Sequence, residues 1–150
     1  MPSFNDKLQQ DIEQYGCQVL HIAEEDELPP FAYSIGIYQT SSAAEVVVIG
    51  LKQAMAHSVV NEYNARVRAG EQFLVGQRYS GFLGGHDIQI GSVHRSHYDE
   101  YFGTAQRYYG HADFDVLQII WPSTAGVWPW DKGADHWLQQ RQPLLAKPAQ

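Results

Sequence analysis

The sequence predicts one α+β domain over residues 1–150, built as a mixed, largely antiparallel sheet of five to seven strands with two or three helices packed on it. Three observations carry this reading. Short apolar runs of strand length recur between Gly, Pro and polar residues. Stretches with an apolar residue every third or fourth position are interspersed among them, as amphipathic helices require. A chain of 150 residues that is 44% hydrophobic and 18% charged suits a single globular core, neither disordered nor fibrous.

Phe4, Leu8, Ile12 and Tyr15 mark the first helix; Ser3 with Asp6 forms a capping-box pattern and Gly16 supplies the stop. Residues 17–23 follow as a strand. The lone Cys17 lies in this apolar run and has no partner for an internal disulfide, so it reads as a small buried hydrophobe. An acidic loop at residues 24–27 and the pair Pro29–Pro30 come next. Residues 31–38 alternate, with Phe31, Tyr33, Ile35 and Ile37 on one side and Ala32, Ser34 and Gly36 on the other. A face this bare admits another backbone, a helix or a flat ligand.

Glu45 opens the run EVVVIGL, whose continuous β-branched residues predict a central strand covered on both sides. Met55, Val59, Tyr63 and Val67 step along a second helix, with Arg66 and Arg68 in its last turn and Gly70 at its end. Residues 73–75, 79–83 and 87–93 read as strands separated by Gly76 and by Gly84 with Gly85. Ser96 with Asp99 repeats the capping-box pattern ahead of a helix carrying Tyr98, Tyr101, Phe102, Ala105 and Tyr109, which Gly103 weakens and Gly110 ends. Residues 114–121 form an apolar strand in which Gln118 needs amide partners, from a turn backbone or from a ligand. The ordered core is expected over about residues 4–138, and the polar, proline-punctuated tail 139–150 reads as loose.

A formal net charge of -7, without clustered Lys and Arg, argues against nucleic acid and favours encounter with a basic partner. No apolar run approaches the roughly 20 residues needed to cross a bilayer, and the first residues lack the pattern of a signal peptide, so a cytoplasmic protein is expected. Among the seven histidines, His86 and His94 would lie about 26 Å apart along one strand. His94, His97 and His111 are closer to one another in the chain and are the weak metal candidates, but no recognised zinc spacing is present. Ser34 lies in YSIG, which lacks the nucleophile elbow GxSxG, and GFLGGHD reads as a hairpin turn. No cofactor is predicted, and the absence of a catalytic motif points away from an enzyme.

The turn WPSTAGVWPW at residues 121–130 holds three of the four tryptophans. Each indole needs a packing surface and an N–H partner. Trp121, Trp128 and Trp130 therefore either cap the core or form the wall of a site for a planar or cationic ligand, with Glu45 or Asp131 supplying charge. The second option requires the turn to fold over the bare strand face. The candidate binding residues are then Tyr33, Ser34, Gly36, Glu45, Gln118, Trp121, Trp128, Trp130 and Asp131.

FAYSIGI at residues 31–37, EVVVIGL at 45–51 and LQIIWPSTAGVWPWDKG at 117–133 resemble, in order and spacing, the three hallmark blocks of a bacterial family, domain of unknown function 4262. The resemblance extends from about Tyr15 to Gly133. The family usually places His and Pro before the Glu of the second block, where this chain has Ala43 and Ala44, and often an Asp after the Trp-Pro pair, where it has Ser123. If either missing side chain does chemistry in relatives, this chain has lost it. The resemblance implies a compact α+β bacterial domain and supplies no reaction.

Two functional expectations follow. One is a non-enzymatic binding or protein-interaction module, immunity-like in form, meeting a basic partner or a second copy of itself. The other is a protein, enzymatic or not, that binds a planar heterocycle in an aromatic pocket.

Overall fold

The structure, a computed structural model, describes residues 3–26 and 28–149. Glu27, part of the expected acidic loop, lies outside the described residues. Six strands form one sheet: β1 (Gln18–Ile22), β2 (Phe31–Ile35), β3 (Glu45–Ile49), β4 (Arg78–Leu83), β5 (His86–Ser92) and β6 (Val116–Ile120), in the order β1-β2-β3-β6-β5-β4. Only β3 and β6 run parallel; the other four pairings are antiparallel. The helices are α1 (Phe4–Tyr15), α2 (Ile37–Ser41), α3 (Gln53–Arg68), α4 (Tyr98–Tyr101), α5 (Gly103–Tyr109) and α6 (His136–Arg141). This is the α+β architecture with a mixed, mostly antiparallel sheet that the sequence predicts.

Helix α1 begins with the predicted capping box: Asp6 N–H donates to Ser3 Oγ at 3.1 Å and Ser3 N–H to the Asp6 carboxylate at 3.3 Å. Both faces of the sheet are covered, because β3 is apolar on both sides and must be. Val46 and Val48 pack with Ala32, Ile119 and the α3 residues Val59, Val60 and Tyr63. Val47 and Ile49 pack on the opposite side with Tyr33, Leu8, Ile12, Phe102 and Phe114. The face of Ala32 that the sequence leaves bare is thus filled by α3.

Several elements differ from expectation for identifiable reasons. The strand begun at Phe31 ends at Ile35 rather than Tyr38, because Gly36 adopts φ 116° and the chain enters α2. Residues 73–75 are not a strand; Phe73 packs against Tyr63, Tyr79 and Phe82, and backbone pairing toward β5 starts only where Gly76 N–H donates to Ile90 O. The helix expected up to Tyr109 breaks between Phe102 and Gly103 and is preceded by a 3-10 turn over Arg95–His97. His94, not Ser96, caps that turn: Ser96 N–H donates to His94 Nδ1 at 3.2 Å.

Within the tail, residues 142–145 are anchored to the core, while residues 139–140 and 146–149 are exposed. Leu145 is 1% exposed and sits in the core with Tyr98 and Phe114. Two buried glutamines hold this segment to β6. Gln118 donates to Pro143 O at 2.9 Å and accepts from Leu145 N–H at 3.0 Å. Gln142 accepts from Trp121 N–H and donates to Trp121 O, both at 2.8 Å. Buried amides satisfied in this way stabilise a segment whose composition alone is polar.

Leu145→Ala is expected to lower unfolding stability by about 2–5 kcal/mol in chemical denaturation, the usual cost of emptying a buried leucine site. A change near zero would mean that the tail contributes nothing to the core.

Candidate functional site

Glu45, the first residue of β3, is 1% exposed and is the most heavily bonded side chain of the candidate set. Its Oε1 accepts from Ser34 Oγ at 2.7 Å and from Ile37 N–H at 3.2 Å. Its Oε2 accepts from Gly36 N–H at 3.0 Å, Tyr38 N–H at 3.1 Å and the Tyr109 hydroxyl. The positive φ of Gly36 turns the three backbone N–H groups toward one point, and a Cβ at Gly36 would collide with Ile12 of α1. Glu45 thereby serves as the cap that α2 lacks from its own N-terminal residue.

Burial pushes the Glu45 carboxyl above the usual carboxylate range, and the surrounding donors pull against that shift. Burial and the Glu45 charge together hold the Tyr109 phenol far above its ordinary value, so it stays protonated and donates. Ser34 is fully buried; its hydroxyl donates to Glu45 and accepts from Val46 N–H at 3.0 Å. Neither group has a free direction in which to meet a substrate. The arrangement is a staple joining β2, β3, α2 and α5.

The other candidates lie elsewhere. Tyr33 points away from its neighbour Ser34, to the other face of the sheet, and meets Phe102 edge to face at 5.1 Å. Trp121 donates its indole N–H to Ile49 O at 2.8 Å, at the far end of β3 from Glu45 and about 13 Å away along the strand. Gly50, next to it, lies so close to α6 that a Cβ would collide with the Arg141 carbonyl. Trp128 stacks on Trp130 with centroids 5.4 Å apart and planes 9° apart, and the Arg78 guanidinium of β4 lies 4.4 Å from the Trp128 ring centre. Four strand spacings separate β4 from β2, roughly 19 Å. Asp131 accepts from Trp128 N–H at 2.9 Å, and Ser123, where the family pattern often has Asp, accepts from Val127 N–H at 3.1 Å; both shape the turn. Ser34, Gly36 and Glu45 converge, whereas the tryptophans and Gln118 do not join them.

The weak metal candidates are occupied locally. His94 caps the 3-10 turn, His97 Nε2 donates to Lys147 O at 2.6 Å, and His111 Nδ1 accepts from Asp113 N–H at 2.9 Å. Among the described residues, no group of three or more His, Cys, Asp or Glu side chains is placed to hold a metal ion. Cys17 is buried, and burial followed by the nearby Glu45 charge pushes its thiol up to about 12.

An open groove of about 560 Å³ forms instead between Glu24, Asp26, Leu28 and Pro29 on one side and α6 on the other. Glu24, Asp26, Leu28 and Pro29 make one wall; Trp137, Gln140 and Arg141 make the other. The loop is closed by reciprocal bonds between the backbones of Glu25 and Leu28, and Asp26 takes φ 42°. Arg141 is held by Gly50 O at 2.9 Å and by Glu24 at 3.1 Å. Trp137 is 61% exposed, Leu28 is exposed, and the volume lies within the range of about 300–1,000 Å³ common for ligand sites. Trp137, the fourth tryptophan, is not among the candidate residues that the sequence supplies. Its isolation from the other three was the available signal, but residues more than a hundred positions apart share no spacing that could link them.

Glu45→Ala is expected to destabilise the fold by roughly 3 kcal/mol or more, since it leaves several buried donors unpaired at about 1–3 kcal/mol each; denaturation of the variant measures this. The thiol supplies a pH signature. Unfolded Cys17 ionises near 9.0 and folded Cys17 near about 12, so the unfolded state binds fewer protons in between and stability falls as pH rises through that window. Cys17→Ala should flatten this contribution. Native-state alkylation should stay slow between about pH 7 and 9.

The sequence matches the family described as Domain of unknown function (DUF4262) over residues 11–135. No curated protein and no solved structure gives a significant match. The matched region contains β1–β6, the Glu45 staple and the tryptophan turn, and the chain belongs to the DUF4262 family.

Proposed function

We propose that this protein is a non-enzymatic interaction module that takes a positively charged segment of a partner protein into the groove of Glu24, Asp26, Leu28 and Trp137. The observation that carries this reading is an exposed indole beside carboxylates in an open cleft of about 560 Å³. A Lys or Arg side chain can lay its aliphatic stem on Leu28, place its charge over Trp137 and reach Asp26. The net charge of -7 supports encounter with such a partner. Glu24 already pairs with Arg141, so an incoming guanidinium would compete there for a preformed geometry.

The internal use of Ser34, Glu45 and Tyr109 supports a binding role over a catalytic one. A planar heterocycle over Ala32 would need the space that α3 occupies.

Titration with an oligo-arginine peptide, followed by tryptophan fluorescence, tests the proposal. Saturable binding that weakens with salt is expected for the native chain. Trp137→Ala should weaken it by about five- to thirtyfold, the equivalent of losing about 1–2 kcal/mol of cation–π contact, without altering stability. Equal affinity in Trp137→Ala, or the same binding of an oligo-glutamate peptide, would overturn the reading. A concentration-dependent mass doubling abolished by Trp137→Ala would assign the groove to a second copy instead.

A further inference from the structure

Outside both the Glu45 staple and the groove, two histidines from different elements meet at one point. His21 lies on β1 opposite Ala32 of β2, whose small side chain lets α3 pack close to the sheet. His57 lies in the first half of α3. His21 Nε2 and His57 Nδ1 are 2.9 Å apart, with ring centroids 5.2 Å apart and planes 20° apart. The centroid separation is close to the nitrogen gap plus the two ring radii, so the rings meet edge to edge and their facing nitrogens converge. A cavity of about 120 Å³ borders His21, lined also by Phe31, Leu51 and Gln53.

We propose that His21 Nε2 and His57 Nδ1 together bind a divalent transition-metal ion with imidazole preference, such as Zn²⁺, Ni²⁺ or Cu²⁺. Such ions take neutral imidazole nitrogens as ligands, and two of them already face one another here. The proton balance is simple. In the ion-free pair one ring donates an N–H to the other; on binding, that proton moves to the outward nitrogen of the same ring, and each ring keeps one proton. No net proton is released and no redox partner is needed. Metal–nitrogen bonds of about 2.0–2.1 Å at a tetrahedral angle place the two nitrogens about 3.4 Å apart, so the rings must separate by only about half an ångström. Both rings reach solvent and can do so. Water from the solvent side completes the coordination.

Calorimetric titration of the untagged full chain with Zn²⁺, together with imidazole nitrogen resonances, tests the site. One equivalent is expected to bind and to shift the signals of both rings. His21→Ala and His57→Ala should each weaken binding at least about tenfold, since loss of a ligand costs no less than loss of an outer-shell partner, while His86→Ala should not. His57 is exposed, so His57→Ala carries the test if His21→Ala fails to fold. Undetectable Zn²⁺ binding up to about 1 mM, native affinity in His57→Ala, or an equal loss in His86→Ala would overturn the proposal and leave the pair as a shared-proton contact.

Discussion

The carboxylate of Glu45 determines where three elements of this domain stop and start. A buried charge is costly unless it is fully hydrogen-bonded, and here the bonds come from Ser34 of β2, the first turn of α2 and Tyr109 of α5. To supply them the chain must leave the sheet at Gly36, reverse, and re-enter at Glu45 in register with Val116. Placement of α5 against the sheet follows from the same point, because Tyr109 reaches inward from its last residue. Geometry that a catalytic acid would use to engage a substrate is used here to hold backbone.

The opposite end of the sheet is organised by amides. Gln118 and Gln142 tie the segment after α6 to the last residues of β6, and Trp121 bonds back to β3. The tryptophan turn closes this end as a cap, with Trp128 enclosed between Arg78 and Trp130. One end of β3 is therefore held by charge and the other by amide and indole groups. Between them five consecutive residues are buried.

What was legible in the sequence was whatever local physics decides. The capping box of α1, the two-sided burial of β3, the stop at Gly16 and the burial of Cys17 all follow from neighbouring residues. What was not legible depended on distant partners. Gly36 reads as one more small residue on a strand face until Glu45 is seen to gather its N–H group. Gln142 reads as a polar tail residue until it is paired with Trp121, and Trp137 as an isolated aromatic until α6 sets it beside Leu28. Alternation correctly divided Tyr33 from Ser34 between two faces, and of the occupants a bare face admits, a helix of this chain covers Ala32.

The position of β6 bears on how the polypeptide reaches this form. The last of the six described strands in chain order enters the middle of the sheet, joining β1–β2–β3 to the hairpin β4–β5. Until residue 120 has emerged these two halves share no strand edge, and until residue 145 has followed, Gln118 lacks its partners. During synthesis the open flank of β3 is a continuous row of valine and isoleucine with unpaired backbone groups, the kind of surface that invites wrong pairing. Closure of the sheet thus waits for β6 and Leu145, and the nascent chain is most open to wrong pairing before they emerge.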